Sequence, residues 1–354
     1  MENDVDDSSA LLRLRTASCE RDAVVNRKSI WFAMGVVSLA LAMSTTVDAQ
    51  TPTKVYRIGY ILTAAPSEVE HLTRTFEEGL RELGYVEGRN IVFERRWAEG
   101  RLERLPSLAA DLVKRNVDVI VSGSNPVIAA LRSATATIPV VMVTSVDPVG
   151  SGFVASLARP GGNITGMTSD PTPEILAKRL QLLKELVPKA QRVALLWNPL
   201  PPGAETYRRV VETAARRLGV SLQAVEARGR NEFEDAFAAI ARGGADAVVV
   251  LSDPLFFTGR KHVVELLTKY RLPAIHGRRE EAEIGSLMSY GANLADQFRR
   301  AAAYAGKILK GAKLGDIPVE QAARFELVIN QRTARQLGLA IPPSLRLQAD
   351  HIIE

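Results

Sequence analysis

Val117-Asp118-Val119-Ile120-Val121-Ser122-Gly123-Ser124-Asn125-Pro126-Val127-Ile128-Ala129-Ala130-Leu131 joins a β-rich run to an apolar helical run through a short polar turn. A strand that ends in such a turn and leads directly into a helix is one step of a strand-helix-strand crossover. Asn125 suits the N-cap of that helix and Pro126 its first position. Free N–H groups and the positive end of the helix would then lie at the carboxyl end of a strand, a seat for an anion such as a carboxylate. A plain cap without a ligand accounts for the same residues.

The same alternation extends in both directions. Tyr56-Arg57-Ile58-Gly59-Tyr60-Ile61-Leu62 reads as a strand, and Phe76, Leu80 and Leu83 then recur at helical spacing before Gly84. Further strands are expected at 91–94, 117–121 and 139–143, each followed by a helical segment. After Pro160-Gly161-Gly162-Asn163 the cycle begins again, with strands at 192–197, 221–225 and 247–251. A parallel pair needs a crossover of about a dozen residues, and these spacings supply it. The expected fold class is α/β, with two open parallel-sheet lobes.

Upstream, Arg27-Lys28-Ser29, an apolar run over residues 30–43 and Val47-Asp48-Ala49-Gln50 have the order of an export signal cleaved near Ala49. The run is shorter than the ~20 residues that span a bilayer. Residues 1–26 are acidic and lack an apolar period, which suggests a natural start near Val24 or Val25. Removing residues 1–49 takes away five basic and seven acidic residues and raises the formal net charge from +5 to +7. Lys and Arg are interleaved with Asp and Glu, as in Glu94-Arg95-Arg96-Trp97-Ala98-Glu99, so a nucleic-acid partner is not expected. Cys19, the sole cysteine, precedes the cut, so neither a disulfide nor a catalytic thiolate is expected in the processed chain. The expected location is periplasmic, and about 305 residues remain for two domains.

Ligands of open parallel sheets bind beyond the carboxyl ends of the strands. Those ends repeat one chemistry here: Ser124-Asn125-Pro126, Ser145-Val146-Asp147-Pro148, Asn198-Pro199 and Ser252-Asp253-Pro254 each set a short polar side chain beside a turn-forming proline. The candidate ligand-binding residues are Ser124, Asn125, Ser145, Asp147, Asn198, Asp253 and Tyr290. Ser124 and Asn125 are assigned an anionic group, Asp253 or Asp147 a cationic or hydroxyl group, and Tyr290 the apolar part.

Catalytic patterns are weaker. The four histidines are scattered and read as surface or cap residues, and no metal site or Gly-x-Ser-x-Gly elbow is present. Gly150-Ser151-Gly152-Phe153-Val154-Ala155 fits a loose dinucleotide loop, but Asp147-Pro148 intervenes between it and the preceding strand, and a turn opening a short helix is expected. Glu280, Glu281 and Glu283 beside Arg278-Arg279 read as a solvated mixed-charge loop. No catalytic residue and no cofactor is nominated.

Ordered motifs over residues 56–354 resemble the ABC-transporter substrate-binding proteins of the tryptophan/tyrosine-type group, with a type I periplasmic-binding fold. They include Gly84-Tyr85-Val86-Glu87-Gly88-Arg89-Asn90, Arg96-Trp97-Ala98-Glu99-Gly100, Asp147-Pro148-Val149-Gly150-Ser151-Gly152, Arg159-Pro160-Gly161-Gly162-Asn163-Ile164-Thr165-Gly166, Met288-Ser289-Tyr290-Gly291, Phe325-Glu326-Leu327-Val328-Ile329-Asn330 and Ile341-Pro342-Pro343-Ser344-Leu345. The resemblance implies two lobes around a hinge crossed three times, near 165–169, 287–291 and 317–326. Lobe 1 is then 54–165 plus 288–316, and lobe 2 is 166–287 plus 317–354. It also implies a non-enzymatic receptor that passes a small molecule, an amino acid by the group's name, to the membrane subunits of an ABC permease. Leu200-Pro201-Pro202-Gly203 departs from the group, which often carries another Asn or Ser after the Asn-Pro turn. An envelope hydrolase or transferase built on the same sheets is the alternative.

Overall fold

Strands and helices alternate along the residues covered by the computed structural model, 54–170, 174–201, 203–322 and 324–354. The first stretch holds β1 (Tyr56–Leu62), α1 (Pro66–Glu82), β2 (Ile91–Trp97), α2 (Leu105–Lys114), β3 (Val119–Ser122), α3 (Asn125–Ala134), β4 (Val140–Val146) and β5 (Ile164–Asp170). Next come α4 (Glu174–Leu186), β6 (Arg192–Trp197), α5 (Ala204–Arg217), β7 (Ser221–Glu226), α6 (Phe233–Arg242), β8 (Ala247–Val250), α7 (Pro254–Thr258), α8 (Arg260–Lys269), β9 (Ala274–His276), α9 (Arg279–Glu283) and β10 (Met288–Ala292). Last are α10 (Leu294–Leu309), β11 (Glu320–Gln321), β12 (Phe325–Asn330), α11 (Gln331–Gln336), α12 (Pro343–Gln348) and β13 (His351–Ile353). The expected export signal and cleavage site lie outside the described residues. No helix among the described residues is long and apolar enough to cross a membrane.

Two sheets result, in the orders β11-β5-β4-β3-β1-β2 and β13-β12-β10-β9-β8-β6-β7. The first is parallel throughout, and in the second only the β10–β12 pair is antiparallel. Both contain the same doubly wound core, in which strand order reverses between the first and third strands of each repeat, β1/β3 and β6/β8. That reversal opens a crevice at the strands' carboxyl ends. Central strands β3 and β8 are buried along their whole length, as parallel strands covered on both faces require. Each sheet carries an apolar core on each face. Phe76, Leu80, Phe298 and Ala301 fill one side of the first sheet, and Leu112, Val127, Ile128 and Leu131 the other. Leu180, Leu183 and Val211 cover one side of the second, and Phe233, Phe237 and Val263 its opposite side.

Strand pairing differs from the expected lobe boundaries at three places. Residues 166–170, assigned to lobe 2, complete β5, which pairs with β4 in the first sheet. Residues 288–292, assigned to lobe 1, form β10 between β9 and β12 of the second sheet. Residues 317–321, assigned to lobe 2, join the first sheet: Thr165 Oγ1 donates to the Ile317 carbonyl at 2.7 Å, and Glu320 pairs beside Met167. The chain therefore passes between sheets after β5, between β10 and α10, and between β11 and β12. Buried hydroxyls explain why β5 does not read as a strand. Thr165 and Thr168 are fully buried yet satisfied, Thr168 Oγ1 donating to the Ser145 carbonyl at 2.8 Å.

Gly166 has a structural necessity. Its φ of +128° is closed to ordinary side chains, and a Cβ would fall 2.2 Å from the Met142 carbonyl oxygen, where the β4–β5 register shifts. Gly166→Ala is expected to cost about 2 kcal/mol. Urea unfolding of the two proteins measures it, and an unchanged midpoint contradicts the strain.

Candidate ligand-binding cleft

The carboxyl ends of the two sheets face each other across a continuous cleft. Its inner part is lined from the first sheet by Ser124, Asn125, Pro126, Thr144 and Val146, and from the second by Asn198, Tyr207, Ser252, Asp253 and Arg278. A deeper apolar recess is walled by Leu62, Leu72, Phe257 and Phe298. The outer part encloses about 640 Å³ among Leu102, Pro126, Phe153, Leu200, Pro201 and Leu255. Small-molecule sites commonly enclose ~300–1,000 Å³. Leu200, 65 % exposed, stands at this mouth. A second hollow, between α8 and α11, carries one charged residue, Arg271, and its guanidinium already donates to the Gln336 carbonyl at 3.1 Å.

Ser124 is the N-cap of α3, with Asn125 and Pro126 as the first two helical residues, so the helix starts one place earlier than expected. The Ser124 side chain makes no cap bond, and its buried hydroxyl has no partner among the described residues. A buried hydroxyl left unpaired in a cleft wall favours a polar ligand there. Asn125 has a different task from the one expected. Its Nδ2 donates to the Val146 carbonyl at 2.7 Å, and its Oδ1 accepts from the Val146 amide at 2.9 Å and the Ser145 hydroxyl at 3.1 Å. The side chain is thus used in clamping the end of β4, and what α3 offers to the cleft is its backbone N–H end.

Asp253 is the N-cap of α7. Its Oδ1 accepts from the Leu255 amide at 2.8 Å and from Asn198 Nδ2 at 3.4 Å. Burial pushes its carboxyl pKa up, against the opposing pull of those two bonds and of the Arg278 charge. Asn198 closes its own turn by accepting from the Leu200 amide at 3.0 Å, so Asn198 tethers Asp253 across the strand ends.

Ser145, Asp147 and Tyr290 do not line the described cleft. Ser145 is fully buried, because alternation along β4 turns Thr144 outward in its place. Asp147 has a left-handed φ of 42° and its Oδ1 accepts from the Gly150 amide at 2.9 Å, closing the turn at 147–152; no helix follows before β5. Tyr290 stacks on Phe325 with ring centroids 5.9 Å apart, within the second sheet.

Arg278 and Tyr207 are cleft residues that the sequence reading did not single out. Arg278 follows β9, a strand of three residues and too short to announce itself. Its guanidinium lies 4.6 Å from the Phe257 ring centroid and has no hydrogen-bond or ion-pair partner among the described residues. Arg278 also stands before α9, where two of the three glutamates expected to be solvated are instead buried, Glu280 at 8 % and Glu281 at 6 % exposed, while Glu283 is exposed as expected and pairs with Arg279. His276, expected as a surface or cap residue, is buried, and burial with the Arg179 charge pushes its pKa down to about 3, so the ring is neutral.

Burial pushes Glu281 up to about 8, with Glu280 adding to the rise and Arg278 opposing it. A carboxyl whose folded pKa exceeds its unfolded value stabilises the fold fully below that unfolded value, 4.5, and the contribution is lost as pH rises through about 8. Glu281→Gln is therefore expected to melt above the parent at pH 8.5, with the gap shrinking towards pH 5. Equal melting temperatures at pH 8.5 would contradict a buried neutral acid.

Residues 65–353 match the family model described as ABC transporter substrate binding protein. The chain belongs to this family. Its members are solute receptors, which sets aside the hydrolase and transferase alternative. A curated relative, the tyrosine-binding protein of Clostridioides difficile strain R20291, is 28 % identical over 277 residues, covering 78 % of each chain. Among solved structures, a conserved domain protein of Vibrio cholerae O1 biovar El Tor strain N16961 is 27 % identical, with a TM-score of 0.79 over 84 % of this chain and 100 % of that one. The ABC domain of Streptococcus pneumoniae in complex with L-Trp is 25 % identical, with a TM-score of 0.79 over 85 % of this chain and 100 % of the other. The substrate-binding architecture of two α/β sheets is thus shared along almost the whole described chain.

Proposed function

We propose that this substrate-binding protein is an exported receptor for an α-amino acid with a large apolar side chain, which it presents to the membrane subunits of an ABC permease. The observation that carries the reading is an unpartnered cation and a buried anion in one cleft. Among the described residues Arg278 makes no hydrogen bond or ion pair, its charge reaching Asp253 and Glu281 only at longer range, while the hydrogen bonds to Asp253 from Leu255 and Asn198 both end on Oδ1 and leave Oδ2 for a ligand. A zwitterion satisfies both, its carboxylate meeting Arg278, the Ser124 hydroxyl and the start of α3, and its ammonium meeting Asp253. The apolar mouth at Leu102, Phe153 and Leu200 suits the side chain. The L-Trp complex and the tyrosine-binding relative support an aromatic solute.

The lobes would close on that solute, because a ligand drives closure only by favouring the closed state. Isothermal titration with L-tryptophan, L-tyrosine and L-leucine, alongside tryptamine and indole-3-propionate, tests the reading. Binding of at least one amino acid, with loss of affinity when either charged group is removed, is expected. No binding by any of them rejects it.

A further inference from the structure

Arg179, on α4, is fully buried among leucines: Leu176, Leu180, Leu182 and Leu183 are each at most 1 % exposed. Burying a guanidinium is expensive, and a well-packed apolar residue usually stabilises such a position at least as well. Two partners that bear on the cleft are held by the fork. Its Nε donates to the Tyr290 carbonyl on β10 at 2.7 Å, and its Nη1 donates to Ser252 Oγ at 3.1 Å. The next strand end is shaped around the same group. A Cβ at Gly277 would fall 2.9 Å from Arg179 Nη2 and 2.0 Å from Ser252 Oγ, and one at Gly291 would fall 1.8 Å from the Gly277 carbonyl oxygen.

Ser252 immediately precedes Asp253, Gly277 immediately precedes Arg278, and Tyr290 lies two residues before the end of β10, where the chain crosses to α10. One rigid fork therefore gathers the ends of β8, β9 and β10. We infer that Arg179 is a positioning residue for the solute, fixing the separation of the Asp253 carboxylate and the Arg278 guanidinium beneath the cleft and tying both to the crossing strand. This rests on the reading of Asp253 and Arg278 as the two anchors. A planar guanidinium holds two acceptors in fixed directions, which a lysine ammonium on a flexible stem does not. Displacing one anchor relative to the other should harm recognition of a zwitterion more than recognition of a ligand with a single charge.

The test compares affinities for L-tryptophan and for indole-3-propionate, which lacks the ammonium, in the parent, Arg179→Met, Arg179→Lys, Ser252→Ala and Asp253→Asn. Arg179→Met is expected to weaken L-tryptophan binding at least about tenfold and to shrink its preference over indole-3-propionate, with Arg179→Lys restoring only part. Ser252→Ala removes a single acceptor of the fork and should shift the same preference by about threefold, which keeps the test decisive if Arg179→Met fails to fold. Simple loss of a Ser252 contact would weaken both ligands alike. An unchanged preference in folded Arg179→Met, or in Ser252→Ala when Arg179→Met does not fold, with Asp253→Asn losing it, overturns the positioning role and leaves the anchor reading standing. An unchanged preference in Asp253→Asn overturns both.

Discussion

Asp253→Asn is expected to weaken amino-acid binding by ~10- to 150-fold, which corresponds to the ~1.5–3 kcal/mol of a hydrogen bond to a charged group. Asparagine is as good an N-cap as aspartate, so the bond to the Leu255 amide and the start of α7 should survive. Stability should be unchanged or slightly raised, since burial already disfavours the Asp253 charge. The same shift fixes the pH response: the ammonium is held by the ionised form, so affinity in the parent should fall as pH drops through the raised pKa of Asp253, above the ordinary 3.8. Titration calorimetry between pH 7.5 and 4.5 measures both effects. An affinity in Asp253→Asn within twofold of the parent would put the ammonium elsewhere.

The second large effect is expected at the inner wall of the cleft, where the Phe257 ring lies 4.6 Å from the Arg278 guanidinium. Phe257 belongs to α7, which follows a strand of the second sheet, yet its side chain is 5 % exposed within the apolar core beside the first sheet. Around it, Arg260 Nη1 lies 3.5 Å from Glu68 on α1 and donates to the Phe257 carbonyl at 2.8 Å, and His71 approaches Glu280 at 3.7 Å. The Phe257 packing and the contacts with Glu68 and His71 join elements of opposite sheets, so separation of the lobes would break them, while the bond from Arg260 to the Phe257 carbonyl stays within one lobe. Burying a phenylalanine contributes about 1.5–3 kcal/mol. Phe257→Ala should therefore depopulate the closed form and raise the apparent dissociation constant by about 10- to 150-fold. Small-angle scattering of the ligand-free protein should show a larger radius of gyration. An unchanged radius with unchanged affinity would mean that Phe257 only packs.

The strands legible in the sequence are those whose apolar runs are long. Tyr56–Leu62 and Arg192–Trp197 fall where the alternation places them, and β8 within one residue. β5 and β11 were hidden by their polarity and shortness, and the boundary expected at residue 165 fell inside a strand as a result. In the cleft, the places of Ser124, Asn198 and Asp253 were legible because a short polar residue with a proline next to it or one place on marks the carboxyl end of a strand, where an open parallel sheet has its crevice. The same logic overreached at Asp147, where the residue serves its own turn. Arg278 and Arg179 were not legible at all. Each is one arginine among many in a chain with 45 basic residues, and only folding shows that one faces a cleft while the other is enclosed by leucines.

The late return of the chain to the first sheet has a kinetic consequence. Helix α10 supplies Phe298, Ala301 and Ala302 to the core that α1 begins, and β11 borders β5. A growing chain thus cannot finish the first sheet until residue 321 has been made, by which point β6 to β10 already exist. Contacts this distant in sequence slow folding, because the loop must close before they reward it. Neither half should fold as an independent fragment, and a chain cut after residue 287 should expose the apolar face of α1 and aggregate.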